Sequence, residues 1–142
     1  MDSETNVKPE THAWVIPFIT VKDPAKSLVF YKEVLGFEKA YANEQDGKVV
    51  HAEMSYMGKT VLLMTQEGQH SKAVKTPENS KVESPTVIFV YIKNVDDVYK
   101  RALSHGAKSR VEPMSVPWGE RHCHIIDPDG HQWQLAEVVG SK

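Results

Sequence analysis

Seven histidines and one cysteine carry much of the chemistry open to this 142-residue chain. His122 and His124 flank Cys123. On a strand, residues two apart point the same way, so the two imidazoles share one face and the thiol takes the other. His51 and Glu53 have the same spacing, an imidazole beside a carboxylate. Grouped together, these side chains could hold a divalent metal ion or work as a His–carboxylate acid–base pair. The plainer reading is that paired strand histidines are structural or lie at the surface. Cys123 reads as a packed thiol, and a single cysteine allows no disulfide within the chain. His12, His70 and His105 read as tail, linker and helix-end residues, and His131 as a structural residue beside a turn. A carboxylate such as Glu53 among aromatic residues needs a partner, and His51, His122 or Arg121 could supply it.

These residues lie on elements that recur twice. Residues 13–22 (AWVIPFITVK) read as a buried strand. Asp23-Pro24 then starts a helix, with Asp as cap and Pro in the first turn. Leu28, Tyr31, Val34 and Leu35 make its apolar stripe, and Gly36 suits the left-handed position past its end. Residues 86–93 (TVIFVYIK) repeat the strand. Asn94 caps a second helix with Val95, Val98, Ala102 and Leu103 on its stripe, and Gly106 closes it. The two capping residues lie 71 apart, half the chain, which points to an internal duplication. Strands follow each helix, near Phe37–Ala42, Val49–Tyr56 and Val61–Thr65, then near Ser109–Glu112, Glu120–Ile126 and His131–Val138. Turns are expected at Glu44–Gly47, at Met57-Gly58-Lys59 and at Asp127-Pro128-Asp129-Gly130. Each half is therefore β-α-β-β-β, with modules at 13–65 and 86–138. The polar stretch 66–85 reads as a linker that could also form a lid or rim, and residues 1–12 as a flexible tail.

Composition narrows the function classes. Charged residues are 25% of the chain and the net charge is −2, so nothing in the charge balance recruits nucleic acid. No apolar run approaches the roughly 20 residues of a membrane span, and the polar start lacks a signal peptide's pattern. The expectation is a cytoplasmic protein without a membrane partner.

Three segments carry a resemblance: IPFITVKDPAKSLVFYKEVLGFE (16–38), HAEMSYMGKTVLLM (51–64) and WGERHCHIIDPDGHQWQLAE (118–137). Val21-x-Asp23 before the first helix, F-Y-x-x-V-L-G-F at its end and D-P-D-G-x-x-W near the C-terminus resemble the vicinal oxygen chelate superfamily. That superfamily includes glyoxalase I, bleomycin-resistance proteins, fosfomycin-resistance enzymes and extradiol dioxygenases. The resemblance implies an α+β fold of two βαβββ modules forming a curved, half-open mixed sheet around a cavity. A homodimer is implied in the same way.

Metal-dependent members place four ligands in that cavity. Their positions carry over to Ile16, Glu53, Val87 and Gln134, of which only Glu53 is a good ligand and Gln134 a neutral one. Alternation along the strands adds Trp14 and Phe18, then Phe89 and Tyr91, then His51, Gln132, His122 and His124 as same-face neighbours. Trp118, in a loop with two prolines, is a candidate rim contact or an ordinary loop anchor, while Trp133 and Leu135 face the helices. The resemblance also puts His124 where extradiol dioxygenase relatives carry a catalytic polar residue. From the residues alone the stripe Trp14, Phe18, Phe89 and Tyr91 reads as core filling of a closed sheet; with the cavity that the resemblance implies, aromatic walls facing a few polar groups suit a flat or partly aromatic small molecule. The sequence thus favours a small-molecule-binding protein with a degenerate metal site and no cofactor, sequestering an antibiotic or metabolite. The alternative is a metal-dependent lyase, isomerase or dioxygenase-like enzyme using a relocated site at Glu53, His122 and His124.

Overall fold

The computed structural model describes residues 7–140. The chain divides into two compact units, Met1–Val74 and Lys75–Lys142. The first unit runs β1 (Phe18–Val21), α1 (Pro24–Leu35), β2 (Glu38–Gln45), β3 (Lys48–Tyr56) and β4 (Lys59–Gln66). The second runs α2 (Pro77–Ser80), β5 (Val87–Tyr91), α3 (Val95–Ser104), β6 (Lys108–Val116), β7 (Glu120–Ile126) and β8 (Gln132–Val138). Each unit holds one four-stranded mixed sheet, ordered β1-β4-β3-β2 and β5-β8-β7-β6. In each, the first strand pairs in parallel with the last and the other pairs are antiparallel. This is α+β architecture with β-α-β-β-β repeated.

The repeat is visible in the register. Phe18, Leu63, Glu53 and Tyr41 form one row across the first sheet. Phe89, Gln134, His124 and Val111 form the matching row in the second. The first three members of each row are 71 apart in sequence, as are His51 and His122. The duplication read from the capping residues therefore extends to strand pairing.

In each unit the sheet has a covered face and an open face. α1 packs on β2, β3 and β4, and the residues buried on that side include Ile19, Val21, Ala52, Met54, Leu62 and Met64. α3 packs on β6, β7 and β8 over Cys123, Ile125, Trp133 and Leu135. Period-2 alternation sends their neighbours to the other side, and those neighbours are the candidate site residues.

Local signals explain most elements. Asp23 is extended (φ −147°, ψ 101°) and its carboxylate accepts the Ala25 N–H at 3.1 Å, with Pro24 opening the helix. Gly36 adopts φ 72° and returns its N–H to the Lys32 carbonyl, so the left-handed ending needs glycine. Phe30 is buried on α1 although it falls outside the stripe read from the sequence, and Leu28 is only half-buried.

Several boundaries differ from expectation, each for a physical reason. β1 starts at Phe18 rather than Ala13. Pro17 has no N–H to give a ladder, and its carbonyl instead accepts the Leu63 N–H at 3.0 Å. Trp14 and Val15 form a bend and are exposed. The turn expected over Glu44–Gly47 contracts to Asp46-Gly47, whose φ values of 51° and 78° match a two-residue hairpin turn. β6 runs to Val116. It tolerates Pro113 because it is an edge strand with register shifts on either side of Val111. The proline-containing loop shrinks to the turn at 117–119.

α3 departs most. Asn94 is at the N-cap position but is left-handed (φ 62°), and its side chain makes no capping bond. Glu137, on β8, does the work from 43 residues away: its carboxylate accepts the Asn94 N–H at 3.0 Å and the Val95 N–H at 2.9 Å. Leu103 is 38% exposed, and Tyr99 takes its expected place among the buried residues.

The segment 66–85 is shared out. Glu67 N–H bonds to the Val21 carbonyl, and Gly68 N–H to that of Val74. Beyond Lys75, Glu78 N–H bonds to the Asp129 carbonyl and the Gln132 amide donates to that of Ser84. Residues 1–6, half of the expected tail, lie outside the described residues. Thr11 and Ala13 exchange backbone hydrogen bonds with Thr60, and His12 pairs with Thr60 as a parallel bridge. Among the described residues no helix is long and apolar enough to cross a membrane.

Candidate functional site

On the open face of the first sheet, Glu53 is the centre. The His51 ring donates from Nε2 to Glu53 Oε2 at 3.1 Å, and His12 Nε2 lies 3.5 Å from Oε1. Phe18 packs edge-on against His51 and His70, with centroids 5.7 and 5.2 Å apart, and Tyr41 tilts over His51 at 6.2 Å. The partner sought for Glu53 is thus His51, joined by His12. Both His12 and His70 lie in this cluster, although they read as tail and linker residues. Ile16 is half-buried, and Trp14 carries the Lys8 ammonium over its ring at 4.6 Å.

On the open face of the second sheet the centre is a residue the sequence reading missed. Glu120 opens β7 and accepts three hydrogen bonds: from His122 Nε2 (2.8 Å) and Trp118 Nε1 (3.1 Å) at Oε1, and from the Tyr91 hydroxyl (2.8 Å) at Oε2. The Gln134 amide donates to His122 Nδ1 at 3.0 Å, which leaves the ring proton on Nε2, directed at Glu120. Phe89 packs edge-on against both Tyr91 and His122, and Trp118 against His122. The hydrogen bonds from His122, Tyr91 and Trp118 hold the Glu120 carboxyl below the usual carboxylate range. The bond to Glu120 pushes the Tyr91 phenol up. Parity was the available signal, since Glu120 lies two residues before His122 on the same strand face.

The remaining candidates are spread around this cluster. His124 shares a row with Phe89 and Gln134, and its buried Nε2 finds no hydrogen-bond partner among the described residues. Burial pushes its pKa down, the Gln132 side chain opposes that, and Arg110 adds to it. Gln132 is buried and tied to Ser84, while Val87 is 41% exposed. Arg121 lies on the opposite face from His122. It forms a two-point pair with Asp96 (2.8 and 3.0 Å), so it serves α3 rather than Glu53.

The strands are aimed by the turn between β7 and β8. Asp127 accepts the backbone N–H groups of Asp129 and His131, both at 3.0 Å, and the Trp133 indole N–H at 2.9 Å. Gly130 at φ 93° lies so close to Pro77 and Glu78 that a Cβ would come within 2.8 Å of the Glu78 nitrogen.

Residues 12–135 match the Glyoxalase/Bleomycin resistance protein/Dioxygenase superfamily. The chain belongs to this superfamily. Uncharacterized proteins of Mycobacterium bovis and Mycobacterium tuberculosis are each 30% identical to it over 124 residues. That span is 87% of this chain and, respectively, 82% and 73% of theirs. TioX from Micromonospora sp. ML1 is similar in structure, with a TM-score of 0.66, 20% identity, and coverage of 89% of this chain and 100% of that one. The fosfomycin resistance protein FosX of Listeria monocytogenes, solved with Mn(II) and sulfate, gives 0.65 at 17% identity, covering 91% and 90%. A superfamily member from Sphaerobacter thermophilus gives 0.65 at 27% identity, covering 88% and 97%.

The superfamily implies a divalent metal, and the residues here do not fit one. At the four ligand positions carried over by resemblance, Ile16 and Val87 bring no donor atom. Glu53 is engaged by two histidines, and the Gln134 amide by His122. The alternative set fares no better at His122, whose two ring nitrogens are both taken, leaving no lone pair for an ion. Among the described residues, no group of three or more His, Cys, Asp or Glu side chains is placed to hold a metal ion.

Proposed function

We propose that this protein binds a small molecule without the superfamily's metal, and that it sequesters an antibiotic or a metabolite rather than transforming it. The observation that carries this reading is the hydrogen-bonded chain Gln134–His122–Glu120, set among Phe89, Tyr91 and Trp118, which are 46%, 54% and 62% exposed. Large aromatic side chains gathered around a few fixed polar groups are the usual make-up of a small-molecule site. Both nitrogens of His122 are engaged within this chain, Nε2 with Glu120 and Nδ1 with Gln134, which suits a fixed recognition surface. We take the working form to be a cytoplasmic homodimer.

Two measurements test the reading. Tryptophan emission, with Trp118 as reporter, is followed during titration with planar neutral, anionic and cationic compounds; saturable quenching is expected, and unaltered emission across the panel would defeat the reading. Plasma mass spectrometry of the tag-free protein after incubation with Zn, Ni, Mn and Fe(II) is expected to find no retained ion. About one ion per chain would instead support the metal-dependent lyase, isomerase or dioxygenase-like alternative.

A further inference from the structure

The chemistry around Glu120 narrows what such a ligand must be. Its side chain is only 14% exposed, yet among the described residues its hydrogen-bond and ion-pair partners include no lysine or arginine. Three donors hold it: an indole N–H, a phenol and an imidazole N–H. These contacts favour the ionised carboxylate, and none of them comes from a permanently charged group. A carboxylate has about four lone-pair directions, and the three bonds leave one open on Oε2. Around it stand the exposed rings of Phe89, Tyr91 and Trp118, and aromatic faces attract cations.

The duplication supplies a control within the molecule. The first-unit counterparts of Tyr91, Trp118 and Glu120, 71 residues earlier, are Thr20, Gly47 and Val49. That unit builds the same sheet without them. The β-α-β-β-β fold therefore does not require an acid with a phenol and an indole on it, and the second unit carries them for another purpose.

We propose that Glu120, with Tyr91, Trp118 and Phe89, forms a recognition site for an organic cation: a protonated or quaternary nitrogen on an aromatic or otherwise apolar body. The nitrogen sits against Glu120 Oε2, and the apolar body spreads over the rings. This inference rests on the small-molecule reading above and names its ligand class.

The test is calorimetric titration of the full chain with three probes of similar shape: N-methylquinolinium, neutral quinoline and 2-naphthoate. N-methylquinolinium is expected to bind at least about tenfold more tightly than the other two, with a preference that shrinks as salt rises. Glu120→Gln, which keeps the shape and removes the charge, is expected to abolish that preference, while near-ultraviolet circular dichroism verifies the fold. If Glu120→Gln does not fold, the salt dependence of the wild-type preference decides. Equal or tighter binding of quinoline or naphthoate, or an undiminished preference in Glu120→Gln, would overturn the cation proposal and leave small-molecule binding standing. No binding by any of the three, together with unaltered emission across the wider panel, would remove both.

Discussion

Glu137 is the most informative single position for testing how the second unit is built. It projects from β8 and takes the first two N–H groups of α3, at 3.0 and 2.9 Å, in place of a local cap. Truncation by Glu137→Ala removes two charge-assisted bonds. Hydrogen bonds to charged groups contribute about 1.5–3 kcal/mol each. Asn94 is exposed, so its N–H can turn to water; Val95 is fully buried, so its N–H is left stranded. The loss is therefore closer to one full bond plus a fraction, about 2–3 kcal/mol, within which the interaction with the helix dipole accounts for less than about 1 kcal/mol. With a urea slope of about 2 kcal/mol/M, the midpoint falls by about 1 M. The assay is urea unfolding followed by the emission of the buried Trp133, in the same unit. Glu137→Gln, which keeps a neutral acceptor, should lose roughly half as much. Hydrogen exchange should quicken first at the start of α3. A Glu137→Ala midpoint within error of wild type would refute the idea that a remote carboxylate, rather than Asn94, holds the helix start.

Further outcomes follow from the same geometry. Gly130→Ala should lower the thermal midpoint of unfolding, at a cost of about 2 kcal/mol or more, since the new methyl meets backbone at a left-handed position; an unshifted melt would contradict the close approach of α2. Cys123 is buried and its thiol is pushed up to about 12, so alkylation by iodoacetamide near neutral pH should wait for unfolding, as read by intact mass. Glu120 and Asp96 both have folded pKa values below their ordinary ones. The stability they contribute is complete above the ordinary carboxylate range and is lost as pH falls through the folded values, so acid unfolding curves of Glu120→Gln should be flatter than wild type there. His124 has a lowered pKa as well, but as a base its sign is opposite. The unfolded chain binds its proton first, so stability falls as pH drops below about 6.5, and His124→Gln should remove that slope.

The parts of the fold that were legible in the sequence are those fixed by neighbours along the chain. Asp23-Pro24, Gly36 and the Asp127–Gly130 turn each act within a few residues, and each is where it was read. The α3 cap was misread because Glu137 reaches it across the sheet and leaves no local trace. β1 was read too long because the apolar composition of 13–16 outweighed the missing N–H of Pro17. Within the candidate site, strand parity correctly put His51 with Glu53 and His122 with Gln134. Glu120 was overlooked even though the same parity assigns it to that face, and Arg121 was offered to Glu53 although parity sends it to the other. The parts played by His12 and His70 depend on where the ends of the unit fold back, which no short-range pattern encodes.

The alternation along β3 and β7 also bears on how such a chain can change over generations. Ala52, Met54, Cys123 and Ile125 answer to the volume beneath the helices, while Glu53, His122 and His124, next to them in the gene, do not. A substitution at the second set leaves the packing beneath the helices in place. One short stretch of codons thus answers to two separate constraints, alternating residue by residue, one set by volume beneath a helix and one not.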